Sequence, residues 1–271
     1  MSALEIVAVV LAGVGAGTIN AVVGTGTLIT FPTLLAIGVP PVTANISNNI
    51  GLVPGSVAGA VGYRRELAGQ RERVLRLLVA SVTGGLIGAG LLLVLPPEAF
   101  EAVVPVLILL GVVLVILGPR LSKVVADRAE ARAAAGTAPA RDGAWWVWPA
   151  VLLTGIYGGY FGAAQGVLLM AVLGIGVSET LQRLNGVKNV LVACVNGIAG
   201  VIFVLVVELA PTDWFGGIEA EIDWLLVLLI AIGAVAGGFL GASVGRRLPP
   251  LALRAVIVVV GLVAVTVILV T

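Results

Sequence analysis

The sequence contains no histidine and a single cysteine, Cys194. One cysteine excludes an internal disulfide, and a lone apolar-flanked cysteine is typical of a small core residue. Without histidine, and with no serine or cysteine beside an evident base, the chain offers no activated nucleophile. An enzyme is therefore the least favoured class of function, and we expect no catalytic residues, no metal site and no cofactor.

Charged residues are also scarce. They make up 11% of the 271 residues, hydrophobic residues make up 60%, and mean hydropathy is +1.19; soluble domains have about 25% charged residues. The net charge of +1 lacks the excess of basic residues that is typical of nucleic-acid-binding proteins. Uncharged windows that can cross a hydrocarbon core about 30 Å thick occur at 77–97, 103–118, 225–245 and 255–271. The sequence predicts an all-α polytopic membrane protein in a lipid bilayer, with no soluble domain.

The basic residues predict the topology, because cytoplasmic loops carry an excess of Lys and Arg. They fall into four clusters, at 64–76, 120–141, 183–188 and 246–254, whereas the connections 96–101 and 208–223 carry acids and no bases. The predicted spans between them are 74–95, 101–118, 189–207, 224–245 and 252–270. Segment 145–177 starts and ends at the cytoplasm, so it must fold back near 162–166. Both termini are expected on the outer side. The first segment carries Glu5 and lacks the positive leader of a secretory signal, so we expect it to be a retained helix.

An internal repeat relates the two halves of the chain. A shift of 138 residues aligns Gly24 with Gly162, Asn45 with Arg183 and Ser47 with Asn185, and a shift of 153 aligns GGLIGA (84–89) with GGFLGA (237–242). Equivalent spans run in opposite directions, so the sequence predicts two inverted repeats, each a broken-helix hairpin plus three transmembrane helices. The repeats are 1–118 and 144–271, joined by a cytoplasmic linker at 119–143.

Glycine-rich stretches mark the predicted helix breaks, GTGT at 24–27 and GAAQG at 162–166. Broken helices are tolerated at membrane depth where they line a cavity, and their free amides suit an anion. The alternative is close helix packing through small residues, which we favour for GVGAG (13–17), GGLIGA and GGFLGA. For the two breaks both interpretations stay open, because Thr25, Thr27 and Gln165 add polar side chains that packing does not need.

The predicted binding site is built from neutral donors. No Asp or Glu lies in the middle of a predicted span, which disfavours a cation pump. Arg183 and Lys188 are expected to snorkel at the cytoplasmic boundary, with a positive vestibule for anions as the alternative. The candidate substrate-binding residues are Asn20, Gly24, Thr25, Gly26, Thr27, Asn45 and Asn48 in the first half and Tyr160, Gln165, Gly166, Asn185, Lys188 and Asn189 in the second.

The stretches VGTGTLITFPTLLAIGVPPVTANISN and GIYGGYFGAAQGVLLMAVLGIG, each followed later by a GGxxGA helix, resemble the two repeats of the sulfite exporter TauE/SafE family. The resemblance implies an alternating-access transporter of a small anionic substrate, such as sulfite or a sulfonate, in the bacterial inner membrane. The second repeat departs from the pattern at Gln165 and at Met170, which stands where Pro32 stands in the first. An anion channel of the same fold stays an alternative, and the oligomeric state, a homo-oligomer included, stays open.

Overall fold

The computed structural model describes residues 1–134, 143–209 and 220–244. All regular structure in these ranges is helical, which confirms the predicted all-α class. The helices are α1 Ala3–Val22, α2 Thr27–Ala36, α3 Pro41–Gly62, α4 Arg71–Val94, α5 Pro97–Ala134, α6 Val147–Tyr160, α7 Gln165–Gly176, α8 Leu181–Val204, continued by a π-helix at Leu205–Leu209, and α9 Trp224–Val244.

Five of the described helices are long and apolar enough to cross a membrane. They are Ala3–Val22, Arg71–Val94, Pro97–Arg120, Leu181–Leu209 and Trp224–Ser243. The prediction of a multi-pass membrane protein is confirmed, and the predicted spans 74–95 and 224–245 agree closely with α4 and α9. Helix α5 extends past its predicted end at 118, so the first part of the predicted linker is helical. The predicted span 252–270 lies outside the described residues.

Two helical hairpins, α1–α2 and α6–α7, are broken where the glycines predict. The amide of Gly24 donates to the Ile19 carbonyl at 3.0 Å, and the amide of Gly162 donates to the Tyr157 carbonyl at 3.1 Å. Gly24 has a φ of 87° and Gly162 a φ of 77°, which is the left-handed C-terminal cap that glycine adopts without a Cβ penalty. The two first helices of the hairpins therefore end in the same geometry, 138 residues apart.

The small-residue stretches outside the breaks lie at close helix crossings. Helix α1 packs along α9, and α6 packs along α4. A Cβ atom on Gly17 would overlap the carbonyl oxygen of Ala234, and one on Gly84 would overlap that of Leu152. Glycine lets the backbones approach this closely, so the packing interpretation of GVGAG, GGLIGA and GGFLGA is confirmed.

The starts of α3 and α8 correct the predicted register of the repeat. Helix α7 has 12 residues and α2 has 10, so α8 begins at Leu181, 140 residues after the start of α3 at Pro41. The pairing of Asn45 with Arg183 is therefore wrong by two residues. Asn45 corresponds to Asn185, the fifth residue of each helix. The ungapped alignment missed this difference because the extra residues of α7 are apolar.

Candidate functional site

The two helix breaks contact each other directly. The amide of Gly166, at the start of α7, donates to the carbonyl of Gly24 at 3.0 Å. A Cβ atom on Gly24 would overlap the backbone of Gly166, and one on Gly166 would overlap that of Gly24. The two breaks therefore meet through a glycine-on-glycine contact. Gly26 stands just before α2, where a Cβ atom would lie 2.7 Å from the Ala16 carbonyl oxygen.

Unpaired polar side chains flank this contact. Thr25 is 0% exposed and Gln165 is 1% exposed. The Thr25 hydroxyl and both amide atoms of Gln165 have no hydrogen-bond partner in the described part of the chain. Buried polar groups are nearly always paired in folded proteins. Two such side chains, each next to one of the touching glycines, are therefore the strongest structural sign of a ligand site.

Asparagines at the start of α3 and α8 reach the broken helix of the opposite half. The Asn45 side-chain amide donates to the carbonyl of Tyr160, the last residue of α6, at 2.9 Å. The amides of Asn185 and Asn189 both donate to the Ala21 carbonyl near the end of α1, each at 3.1 Å. These bonds satisfy carbonyls that a helix end leaves without an intrahelical partner. Each half therefore caps the hairpin of the other.

Lys188 lies in the interior, two turns into α8. Its side chain is 0% exposed, and its Nζ donates to the carbonyls of Asn20 at 3.0 Å and Ala21 at 3.4 Å. The interpretation of Lys188 as a snorkelling boundary residue is wrong, because the negative end of the α1 dipole gives the ammonium acceptors inside the bundle. No carboxylate in the described ranges forms a salt bridge with it.

Arg183, in contrast, takes part in an ion cluster at the start of α8. Its Nε lies 2.8 Å from Glu179 Oε2, and Arg73 NH1 of α4 lies 3.2 Å from Glu179 Oε1. Burial by itself would raise the pKa of Glu179, but the hydrogen bonds from Arg183 and Arg73 outweigh it and hold that pKa below its ordinary value. The cluster ties the turn between α7 and α8 to the start of α4.

The remaining predicted polar residues, Asn20, Thr27 and Asn48, form hydrogen bonds within the first half. Asn48 accepts a hydrogen bond from Thr30 and donates to the Thr27 hydroxyl at 3.4 Å, which joins α2 to α3. Asn20 donates to the Ser56 hydroxyl at 3.0 Å. Sequence reasoning did not select Thr30 or Ser56. A signal for Ser56 exists in the corrected register, because Ser56 and Asn196 are both the sixteenth residue of their helices.

An aromatic cluster packs beside the second break. The rings of Phe31 and Phe161 have centroids 5.1 Å apart, and those of Phe100 and Tyr160 are 5.6 Å apart. Both contacts are edge-to-face, the arrangement that aromatic quadrupoles favour. Tyr160 therefore offers its carbonyl to Asn45 while its ring packs in this cluster.

An open cavity of about 420 Å³ lies elsewhere, between α3, α8 and α9. Its lining is apolar and includes Ile50, Pro54, Gly197, Leu205 and Ala231, but none of the predicted binding residues. The predicted residues are instead buried against one another, with Tyr160 half-buried. The residues around the two breaks are therefore enclosed by protein, and the site is closed in this conformation.

Comparison with known proteins agrees with this architecture. The sequence model of the sulfite exporter TauE/SafE family matches residues 9–268, a range that contains both helix breaks. A probable membrane transporter protein, ORF9, from Sinorhizobium sp is 27% identical over 245 residues, which cover 86% of this chain and 78% of that protein. No solved structure matches the chain. The chain therefore belongs to the sulfite exporter TauE/SafE family of membrane transporters.

Proposed function

We propose that the protein is a secondary transporter of small anions, namely sulfite, sulfonates or related organic oxyanions, in the bacterial inner membrane. The observation that carries the proposal is the contact between Gly24 and Gly166, flanked by the unpaired polar groups of Thr25 and Gln165. An oxyanion that leaves water needs hydrogen-bond donors, which gain strength in a dry interior. The Thr25 hydroxyl and the Gln165 amide are donors of this kind without a present partner.

The chemistry of Gln165 suits a weakly acidic oxyanion. Its Nε2 can donate a hydrogen bond to an anion oxygen, and its Oε1 can accept a hydrogen bond from a hydroxyl that the substrate carries. Both atoms are buried and unpaired in the closed conformation, and an unpaired buried group costs about 1–3 kcal/mol. Substrate binding would lower this cost, because any oxyanion supplies acceptors for Nε2 and a protonated one also supplies a donor for Oε1.

Alternating access between two inverted repeats is the mechanism we infer. The two hairpins end in the same cap geometry, and α1 packs on α9 of the second half as α6 packs on α4 of the first. Transporters with inverted repeats hold substrate at discontinuous helices where the halves meet, and one repeat rocks against the other. The breaks themselves meet through the backbones of Gly24 and Gly166, so opening the site would separate these backbones and the neighbouring Phe31–Phe161 ring contact.

Flux measurements on the reconstituted protein test the proposal. Gln165→Leu should weaken substrate affinity by about one to two orders of magnitude, because the anion loses a buried donor. Leucine fits the apolar surroundings, so insertion and folding should survive. Gln182→Leu makes the same change at an exposed position of α8 and should leave flux unchanged.

The form of the flux separates the two candidate mechanisms. Saturable sulfite or sulfonate flux into proteoliposomes supports the transporter, and flux that rises linearly with concentration supports the anion channel of the same fold. Absence of flux for every small sulfur oxyanion would overturn the proposal. Normal affinity in Gln165→Leu would place the substrate away from the two breaks.

A further inference from the structure

The charge of Lys188 exceeds what its structural contacts require. The end of α1 already receives two neutral donors, because Asn185 and Asn189 both bind the Ala21 carbonyl. The equivalent end of α6 receives the neutral amide of Asn45. In the corrected register the position of Lys188 in α8 is that of Asn48 in α3, the eighth residue of each helix. Helix capping is therefore achieved without a cation in one half of the molecule.

A fully buried ammonium is costly unless an anion accompanies it. Lys188 is 0% exposed, and its two acceptors, the carbonyls of Asn20 and Ala21, are neutral. No described carboxylate forms a salt bridge with it. A protonated Lys188 therefore has no described counter-charge, and a bound anion would supply one.

The position of the ammonium fits this role. Ala21 precedes Gly24 by three residues, so the Nζ contacts α1 within about one helical turn of the break. A lysine stem has four rotatable carbons and its ammonium donates in any direction. A rotation of this side chain would carry the ammonium from the α1 carbonyls to a ligand held beside Thr25 or Gln165, which flank the Gly24–Gly166 contact.

We propose that Lys188 is the charge-selecting residue of the substrate site, which accepts singly charged oxyanions in preference to neutral and doubly charged analogues. This inference rests on the proposed anion transport. A monoanion neutralises the single ammonium, a dianion leaves a net negative charge buried, and a neutral ligand leaves the ammonium without a counter-charge. Lys188 would hold the α1 carbonyls in the empty site and the anion in the occupied one.

Three tetrahedral sulfur compounds with the same number of heavy atoms test the inference: dimethyl sulfone, methanesulfonate and sulfate, which are neutral, singly charged and doubly charged. In calorimetric titration of the purified protein, methanesulfonate should bind at least about tenfold more tightly than either of the others. Lys188→Met should weaken methanesulfonate binding by about a hundredfold or more. Dimethyl sulfone binding should change by less than about threefold, because it does not use the charge.

Two further variants separate charge from helix capping. Lys188→Gln keeps donors for the α1 carbonyls and removes the charge. It should therefore lose affinity for methanesulfonate as Lys188→Met does, but it should unfold at a higher temperature than Lys188→Met. Lys123→Met removes a lysine that is exposed on α5 and should change the affinity for neither ligand.

The ratio of methanesulfonate to dimethyl sulfone affinity decides the outcome. An unchanged ratio in Lys188→Met, or normal methanesulfonate binding in Lys188→Gln, would assign Lys188 to helix capping alone and overturn the inference. Tight sulfate binding by the unaltered protein would overturn it as well, although anion transport would stand. Binding of none of the anionic probes, with no sulfite flux, would overturn both proposals together.

Discussion

At the scale of the residue, Gly24 combines two constraints that can be separated. Its φ of 87° disfavours any side chain, and its Cα lies against Gly166. Gly38 has the same kind of backbone, with a φ of 85°, but nothing lies within 4 Å of a Cβ atom built there. The two glycines therefore form a matched pair, with equal backbone strain and a contact in only one of them.

We expect Gly24→Ala to abolish transport and Gly38→Ala to preserve it. The alanine at 38 should cost about 1–2 kcal/mol for the left-handed backbone alone. The alanine at 24 should cost more, because its methyl group must separate the two breaks. Flux in proteoliposomes and thermal unfolding in detergent measure the two effects. Equal behaviour of the two variants would mean that the Gly24–Gly166 contact has no functional role.

The sequence predicted the role of residues whose structure depends on their neighbours in the chain. It did not predict the role of residues whose contacts lie in the other half of the molecule. Gly24 was identifiable because a glycine beside polar residues inside an apolar run marks a helix break. The burial of Lys188 was not, because its acceptors at Asn20 and Ala21 lie more than 160 residues away in sequence. Hydropathy treats a lysine near a helix start as a boundary residue and contains no information about the carbonyls of another helix.

At the scale of the element, the helices themselves were predictable because a bilayer requires long uncharged segments. The predicted spans for α4 and α9 differ from the structure by a few residues at most. The register between α3 and α8 was not predictable without a gap, because α7 is two residues longer than α2. Its extra residues are apolar, so neither composition nor hydropathy marks the insertion.

The ion cluster around Glu179 joins two elements of different halves and predicts how the free energy of unfolding changes with pH. The pKa of Glu179 is lowered from its ordinary value of 4.5, so its bonds with Arg73 and Arg183 stabilise the folded protein above that pH. This contribution should disappear as the pH falls through the lowered pKa. Glu179→Gln should reduce the free energy of unfolding by less than about 1 kcal/mol near neutral pH, because the pair is partly exposed.

Thermal unfolding of the two proteins at neutral and acidic pH measures this effect. The difference between the original protein and Glu179→Gln should be present near pH 7 and should vanish in acid. Glu72→Gln alters an exposed acid in the first turn of α4 and serves as the control. A difference that grows as the pH falls would contradict the lowered pKa.

At the scale of the whole molecule, each half depends on the other. The polar start of α8 caps the end of α1, the polar start of α3 caps the end of α6, and the close helix pairs α1–α9 and α4–α6 each join two halves. A single half would leave its broken helix uncapped and its glycine-lined face unpacked. The two halves therefore form one cooperative bundle, and a movement of one half would change the contacts at the helix break of the other.

The proposed mechanism uses an inverted orientation of the two halves, and two acidic residues can test this prediction. Glu72 lies in the first turn of α4, among arginines, and Glu221 lies just before α9, in a connection without bases. If α4 and α9 are equivalent in an inverted repeat, as GGLIGA and GGFLGA predict, their starts lie on opposite sides of the membrane. In a Cys194→Ala background, we expect an impermeant thiol reagent to label Glu72→Cys only from the cytoplasmic side and Glu221→Cys only from the outside.

Both residues are exposed, so a failure to label could not be attributed to burial in the bundle. Labelling of both cysteines from the same side would make the repeats parallel. In that arrangement the two halves would not be related by the inversion that the proposed mechanism uses. The binding chemistry at Gly24, Thr25 and Gln165 could still hold an anion, but alternating access by two inverted repeats would have to be abandoned.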